Sequence, residues 1–434
     1  MTSFGTMWRR GFVLAASLAL LASVVPAATF AQDASPAAGG EVTVMTYFSA
    51  DLGEGALKEL LTQFEQESGM TVNFVPVGHE DYKTGILIQL AGGNPPDAHT
   101  VWAGARTAFQ VQNGSLAPID DMWAANGLDS QFSPGMIESA VTYDGHKYLL
   151  PFGFHIAPMW YNPKVFADAG VAIPTTWDEL KSACTTFSAA GIVPISMGSM
   201  NRWPAQFWFD YLILRTAGAE YRAKLMAGEA KYSDPEVVRA MELWAELFDA
   251  GCFADGATVN SLDWTDAADQ LASGDAAMNL MGTWIMGYLN GNGFEPGTDY
   301  DFFEFPVVDE GVPSAVVGPV DGFVTAAGAK NPEGAMALLA FLAKPEIQAA
   351  WAVGQGNMST NITSDTSGFN DVTKRAMEVA AAAETYNFNY DLATPPAPSE
   401  VGLDMFQKFI NDPGQDINAL LAETETGIEA AFAG

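Results

Sequence analysis

The chain has 434 residues, a 49% hydrophobic fraction, and 52 Asp and Glu against 19 Lys and Arg, which gives a formal net charge of −33. A single hydrophobic core seldom extends beyond about 250–300 residues, so the length predicts two domains, and the apolar fraction excludes a disordered chain. The negative charge excludes a surface built to bind nucleic acid or anionic lipid, and we interpret it as a solvated acidic exterior.

The N-terminus predicts an export signal. Arg9 and Arg10 precede the apolar run GFVLAASLALLASVV, and small residues lead to a cleavage site after Ala31. This run is shorter than the roughly 20 apolar residues that a membrane span needs. We therefore expect a signal peptide at 1–31, a flexible leader at 32–40, and export to the periplasm or the cell exterior by either the Sec or the Tat route. Because no Cys lies near the cleavage site, we expect no lipid anchor at that site.

Strand and helix patterns alternate in the first part of the mature chain. Apolar residues recur at helical spacing from Leu57 to Phe64, the pair Asp51 and Glu54 has the spacing of a capping box, and Gly69 marks the helix end. Further elements are predicted as strands at 41–47, 71–77 and 98–102 and a helix at 82–93. This alternation predicts an α/β fold with mainly parallel sheets.

The same alternation resumes further along the chain. Thr176 and Glu179 form a second capping-box spacing, and Asp234 followed by Pro235 predicts a helix start. The predicted elements are helices at 175–191, 233–251 and 414–432, strands at 192–197 and 276–282, two short helices broken before Pro345 within 331–351, and a proline-rich connection at 391–400.

Between the two blocks lies the uncharged stretch LLPFGFHIAPMWYN, residues 149–162. Its two prolines, Pro151 and Pro158, disfavour a regular helix. A segment that leaves one block and enters the other must cross the space between them, which is also where α/β folds place ligands.

The two cysteines, Cys184 and Cys252, are compatible with one disulfide bond, although Cys184 on an apolar helix face would equally suit a buried free thiol. They and the four scattered histidines, among them His155, have no zinc-ligand spacing. The sequence therefore predicts no metal and no cofactor.

Recognised catalytic motifs are missing from the sequence, and no carboxylate pair stands out among the 52 acidic residues. Aromatic residues beside polar ones follow several predicted strand ends, in TYFSADLGEG, VWAGAR, PFGFH, MGSMNRWPAQFW and MGTWIMGY. An aromatic ring covers the apolar face of a pyranose, and polar side chains pair with its hydroxyls. Each ring alone fits core packing better, but together they favour a lined cleft.

These segments, in this order, resemble the extracytoplasmic sugar-binding proteins of ABC importers, the family that contains maltose-binding protein. The resemblance is carried by FEQESGMTVNFVPV, LAGGNPPDAHTVWAG, GSLAPIDD, GHKYLLPFGFHIAPMWYNPKVFADAGVAIPTTWDELKSAC, SGDAAMNLMGTWIMG and GFVTAAGAKNPEGAMALLAFLAKPEIQ. The segments LPFGFHIAPMWYN and GPVDGF are most similar to the monosaccharide-binding, glucose/mannose-type branch.

The resemblance implies a type II periplasmic-binding-protein-like fold, in which two α/β lobes close over a solute about a three-segment hinge. Lobe 1 would comprise 41–152 and 306–356, and lobe 2 would comprise 153–305 and 357–434. The hinge crossings would lie near 151–157, 303–306 and 355–358.

Matching segments imply a set of ligand-binding residues and no catalytic ones. The set is Tyr47, Phe48, Trp102, His155, Trp203, Gln206, Trp284, Asp321 and Asn357. The sequence GPVDGF around Asp321 departs from the paired glycines that many members show there. Arg106 and Arg202 are not required by the pattern, and we interpret them as salt-bridge partners, with an acidic sugar as the alternative.

The expected function is capture of a mono- or disaccharide and its delivery to the membrane subunits of an ABC importer by a monomeric protein. The alternatives are a secreted glycoside hydrolase, which would add two carboxylates to the same cleft, and a binding protein for another solute such as a polyol.

Overall fold

The computed structural model describes residues 40–433, in which helices flank two main β-sheets of six and four strands, and two further pairs of strands form small sheets of their own. The predicted signal peptide at 1–31 and the predicted leader up to residue 39 lie outside the described residues. The strands are β1 (Glu41–Thr46), β2 (Thr71–Pro76), β3 (Ala98–Trp102), β4 (Leu116–Ala117), β5 (Thr142–Tyr143), β6 (His146–Lys147), β7 (Leu150–Phe154), β8 (Met159–Tyr161), β9 (Val193–Ser196), β10 (Ala276–Leu280), β11 (Asp301–Phe303), β12 (Ala315–Val317), β13 (Val320–Ala326) and β14 (Thr385–Asn387).

The helices account for most of the remaining regular structure. They are α1 (Glu54–Ser68), α2 (His79–Ala91), α3 (Ala105–Gln112), α4 (Asp120–Ala125), α5 (Pro134–Met136), α6 (Pro163–Ala169), α7 (Trp177–Ala189), α8 (Gln206–Thr216), α9 (Gly218–Met226), α10 (Pro235–Asp249), α11 (Gly256–Val259), α12 (Trp264–Ser273), α13 (Ile285–Gly291), α14 (Pro332–Leu342), α15 (Pro345–Gln355), α16 (Asp371–Ala382), α17 (Tyr390–Ala393), α18 (Pro396–Asn411) and α19 (Ile417–Ala433). Across residues 40–433 no single helix is both long and apolar enough to cross a membrane, and the one pair that would be so together, α14 and α15, is bent by 75°.

The first sheet has the strand order β2-β1-β3-β13-β4, with β7 also pairing with β13. Strand β1 runs parallel to β2 and β3, whereas β13 is antiparallel to β3, β4 and β7. One strand, β13, is thus reversed in an otherwise parallel arrangement. Its register places Asp321 opposite Trp102 on β3 and Gly153 on β7, which brings three distant parts of the sequence to one edge.

The second sheet has the order β11-β8-β10-β9. Strands β9 and β10 are parallel, and β8 is the reversed strand because it is antiparallel to both β10 and β11. Each sheet thus has one reversed strand, and the α/β fold with mainly parallel strand directions is confirmed. Each sheet also has its own core: Val44, Leu61 and Trp351 pack in the first, and Trp160 and Trp244 in the second.

The chain passes between the sheets at three places that lie side by side. Residues 155–158 join β7 to β8, residues 304–319 lead back from β11 to β13, and a short segment after α15 leads to Met358. Backbone hydrogen bonds link these segments, from Ala157 N to Val317 O at 2.7 Å and from Met358 N to Phe154 O at 3.2 Å. The predicted lobe boundaries remain a prediction, since contacts among the described residues 40–433 form one body.

Several helix ends follow their sequence signals. Gly69 ends α1 with a left-handed φ of 72°, Thr176 and Glu179 form the capping box of α7, and the break before Pro345 separates α14 from α15. Asp234 caps α10 by position, but its carboxylate accepts hydrogen bonds from Lys231 N and the Tyr221 hydroxyl rather than from the helix.

Three sequence predictions about element bounds are wrong. Helix α1 does not begin at Asp51, because a turn of 3-10 helix at Ala50–Leu52 precedes it and Gly53 is its N-cap. Helix α2 begins at His79 rather than at 82. The predicted connection at 391–400 contains α17 and the start of α18, since a proline in the first turn of a helix removes only an N–H that would lack a partner there.

Cys184 on α7 and Cys252 after α10 form a disulfide bond, which decides between the two roles that the sequence left open. Both residues are fully buried in the second core. The bond joins residues 68 positions apart, and a cross-link of that span restricts the unfolded chain strongly.

We predict that replacing both cysteines by alanine lowers the free energy of unfolding by about 2–4 kcal/mol, because the unfolded chain regains loop entropy. Urea unfolding of the oxidised wild type and of Cys184→Ala/Cys252→Ala measures the difference. Adding reductant should destabilise the wild type to the same extent and leave the variant unchanged. Equal midpoints for the two oxidised proteins would contradict the prediction.

Candidate functional site

A cavity lies between the two sheets, beside the segments that cross from one to the other. It encloses about 630 Å³ of space between atoms, part of it open to solvent, which is within the range of small-molecule sites. Its wall includes eight of the nine residues named from the sequence: Tyr47, Phe48, Trp102, His155, Trp203, Gln206, Trp284 and Asp321. The structure therefore brings these scattered positions together in one place.

Asn357 is the predicted site residue that does not line the cavity. It is fully buried, and its Nδ2 donates a hydrogen bond to Oε1 of Gln355, which does line the cavity. Asn357 thus supports a wall residue from behind rather than facing the cavity itself.

The Asp321 carboxylate lies at the centre of the polar wall and is 4% exposed. Its Oδ1 accepts a hydrogen bond of 2.5 Å from the Tyr47 hydroxyl, and its Oδ2 lies 3.0 Å from His155 Nε2. On the other side of the His155 ring, Nδ1 lies 3.0 Å from Thr283 Oγ1. Burial and the adjacent Asp321 charge raise the pKa of Tyr47 well above its ordinary value, so Tyr47 remains a hydrogen-bond donor.

Aromatic rings form two groups on opposite sides of the cavity. In the first, Tyr47 stacks on Trp102 with ring centroids 4.1 Å apart and planes 11° apart. In the second, Trp284 lies 5.9 Å from Trp203 and makes an edge contact with His155 at 5.3 Å. Trp284 is half-buried, and its ring rests against Gly282, where a Cβ would be only 1.9 Å from it. Glycine at 282 is therefore required for this ring position.

Helix α2 contributes His79 and Lys83 to the cavity wall, and Glu80 follows His79 on the same helix. The Glu80 Oε1 accepts a hydrogen bond of 3.0 Å from the indole Nε1 of Trp203 and lies 2.8 Å from His79 Nδ1. Burial alone would raise the pKa of Glu80, but the hydrogen bond with His79 and the charge of Lys83 lower it to about 2. Burial also lowers the pKa of His79 and of Lys83.

The segment before α18 contributes Asn389, Asp391 and Leu392 to the cavity wall. Asp391 Oδ2 accepts a hydrogen bond of 3.2 Å from Arg106 Nη2, and Asp391 Oδ1 accepts one of 2.6 Å from Asn389 Nδ2. Gln206 holds the segment in place, because its Oε1 accepts a hydrogen bond of 2.9 Å from the backbone N of Asp391.

The two arginines singled out in the sequence have different surroundings. Arg106 lines the cavity and is paired with Asp391, whereas Arg202 lies outside the cavity wall and is paired with Glu400 and Asp404 at 2.7 and 2.6 Å. Both arginines take part in salt bridges, which is the role that the sequence favoured for them.

Several wall residues were missed by the sequence reasoning. They are Leu52, His79, Lys83, Phe207, Trp264, Pro319, Gln355, Asn389, Asp391 and Leu392. His79 and Lys83 are one helical turn apart, and a correct start for α2 would have signalled them. Asn389 and Asp391 fell beside or within a segment that was interpreted as a connection.

Three buried polar atoms of the wall have no aligned hydrogen-bond partner among the described residues: His155 Nε2, Arg106 Nε and Asn389 Oδ1. Buried polar atoms are rarely left in this state, because each one costs the free energy of its lost hydration. The imidazole Nε2 can donate or accept a hydrogen bond, the guanidinium Nε donates, and the amide Oδ1 accepts. This combination suits a ligand that carries hydroxyl groups, which both donate and accept. Within residues 40–433, no group of three or more His, Cys, Asp or Glu side chains is arranged to hold a metal ion.

The chain is similar in sequence to known extracellular binding proteins. The profile described as bacterial extracellular solute-binding protein matches residues 50–349. An uncharacterized ABC transporter extracellular-binding protein of Pyrococcus horikoshii is 26% identical over 80% of this chain and 77% of its own length. The alpha-glucosides-binding periplasmic protein AglE of Rhizobium meliloti is 26% identical over 81% of this chain and 79% of its own.

A solved structure extends the similarity to three dimensions. The bacterial solute receptor AcbH, described as having an exclusive substrate preference for β-D-galactopyranose, superposes with a TM-score of 0.84. It is 26% identical in sequence, and the match covers 91% of this chain and 99% of that one.

We predict that Glu80 makes the stability of the folded protein depend on pH. Its pKa of about 2 in the folded protein is below its ordinary value of 4.5, so its stabilising contribution is complete above pH 4.5 and is lost as the pH falls toward 2. Between those values the wild type should lose more stability than Glu80→Gln does. Chemical denaturation at intervals from pH 5 to pH 2.5 measures both slopes.

Glu59→Gln is the matched control, since Glu59 is an exposed glutamate on α1 outside the cavity wall. Its slope should follow that of the wild type. Identical slopes for Glu80→Gln and the wild type would exclude the proposed role of the Glu80 pairings.

Proposed function

The chain belongs to the bacterial extracellular solute-binding protein family, and from this premise we propose that it captures a mono- or disaccharide and delivers it to an ABC importer. The observation that carries the proposal is the cavity wall, in which aromatic rings lie beside buried polar atoms that have no aligned hydrogen-bond partner among the described residues. This combination matches the two kinds of surface that a sugar ring presents.

A pyranose has an apolar C–H face and a rim of hydroxyl groups. Trp284 is half-buried and packs against Gly282, and it offers a ring face to the apolar C–H face of the sugar. Asp321 offers carboxylate oxygens to hydroxyl donors, and such charge-assisted hydrogen bonds are stronger than neutral ones. Asn389 Oδ1 and Arg106 Nε supply a further acceptor and donor.

Contacts across the cavity support capture by closure. Trp203 donates to Glu80 across the cleft, and its ring lies 5.7 Å from that of His79. A ligand that touches both sides can bind fully only when they are together, so binding shifts the equilibrium toward the closed form. The three adjacent crossing segments are the natural pivot for this motion.

The names of related proteins support a carbohydrate over other solutes. AglE is named for binding alpha-glucosides, and AcbH is described as preferring a galactopyranose. We propose that this chain acts as an exported monomer that meets the permease subunits of its importer outside the cytoplasm, after cleavage of the predicted signal peptide.

A thermal-shift screen tests the proposal directly, because a ligand that binds only the folded protein raises its melting temperature. The panel should contain D-galactose, D-glucose, D-mannose, maltose and the polyols glucitol and glycerol. A sugar hit that is confirmed by calorimetry, and by compaction in small-angle scattering, supports the proposal. Binding of polyols alone, or release of monosaccharide from an oligosaccharide, would favour one of the alternative functions.

We predict that Trp284→Ala weakens binding of the best sugar by about 1–3 kcal/mol, because the sugar loses a stacked ring face. Isothermal titration calorimetry measures the affinity. Trp284→Phe is the matched control, since it keeps an aromatic face at the same position and should retain most of the affinity. Unchanged affinity in Trp284→Ala would remove this residue from the binding surface.

A further inference from the structure

The charged groups around the cavity are almost all paired with one another. Arg106 is bound to Asp391, and Lys83 is bound to Glu80 at 3.0 Å. Asp321 is the carboxylate of the wall that has no cationic Lys or Arg partner; its neighbours are the Tyr47 hydroxyl and the His155 ring. The cavity therefore has no uncompensated cation to receive an anionic ligand.

The backbone and a neighbouring ring hold Arg106 close to Asp391. Gly104 has a φ of 96°, and a Cβ there would lie 2.4 Å from the carbonyl oxygen of Leu392. Glycine thus permits the start of α3 to approach the 389–392 segment closely. The guanidinium is fixed further by the Trp102 ring, whose centroid is 5.7 Å from Arg106 Cζ.

We propose that the ion pair between Arg106 and Asp391 determines the charge specificity of the cavity, so that it accepts uncharged sugars and rejects sugar acids. This inference rests on the proposed sugar-binding function. The carboxylate of a uronic acid would meet an arginine that is already neutralised and two acidic side chains, Asp391 and Asp321. Like charges brought together in a desolvated site are unfavourable, and such repulsion is an effective means of discrimination.

The structure also indicates how the specificity can be changed. In Asp391→Asn the arginine loses its counter-charge, while the side chain keeps its size and one oxygen acceptor. The new amide can present its oxygen to Arg106 and its Nδ2 to Asn389, provided that the Asn389 amide rotates by half a turn. Asn389 Oδ1 has no partner in the present arrangement, so this rotation breaks no bond of that oxygen.

The experiment uses matched sets of sugars: D-galactose with D-galacturonate and D-galactosamine, and D-glucose with D-glucuronate and D-glucosamine. Calorimetry on the wild type should show binding of a neutral sugar and at least about tenfold weaker binding of its uronate. In Asp391→Asn the ratio of neutral-sugar to uronate affinity should fall by about tenfold or more. Arg106→Gln, which frees the Asp391 carboxylate, should shift the ratio in favour of the amino sugar.

Asp404→Asn is the matched control, because it removes one carboxylate from an arginine pair outside the cavity wall. It changes the net charge by the same amount and should leave the ratio as in the wild type. An unchanged ratio in a folded Asp391→Asn, or an equal change in Asp404→Asn, would overturn the inference, as would a wild type that binds uronate as tightly as the neutral sugar. If the wild type binds no sugar of any kind, the proposed function itself fails and the inference falls with it.

Discussion

The buried carboxylate of Asp321 is the constraint around which the cavity is organised. A carboxylate removed from water without compensation would cost several kcal/mol, so the fold has to bring polar partners to it. Those partners come from two distant places, the end of β1 with Tyr47 and the crossing segment with His155. The reversed strand β13, which carries Asp321, makes this possible because its register places residue 321 between β3 and β7.

The crossing segments connect this local requirement to the whole molecule. His155 belongs to the first crossing, and its carbonyl oxygen lies 3.0 Å from the Tyr386 hydroxyl, which also lies close to Gly318 and Pro319 of the second. A change in the direction of these segments therefore moves His155 relative to Asp321. The affinity for a ligand held at Asp321 would therefore depend on how the two sheets are placed about the crossings, and binding would shift that placement in turn.

The sequence predicted the fold well where the signals are local. Glycine at 69, the Thr176 and Glu179 box and the break at Pro345 each act within a few residues, and each has the expected effect. Eight of the nine proposed site residues line one cavity, and most of them lie at or after strand ends, which meet in such folds. Asp321 differs, because it lies near the start of the reversed strand β13. The misses have a physical reason too. Proline can end one helix or begin another, and at Pro396 it begins α18, so the neighbouring Asp391 was taken for part of a connection.

The charge of the whole chain and the charges of the cavity act on different scales. The net charge of −33 acts through solvent, where salt screens it over about 8–10 Å, so it alters how often a charged solute approaches. The side chains of Arg106 and Asp391 are largely buried, and interactions between buried charges are stronger than interactions through solvent. The acidic exterior would slow the approach of all anions alike, whereas the paired charges distinguish between solutes that have already entered. Selectivity of this kind therefore has to come from the wall of the cavity rather than from the composition of the chain.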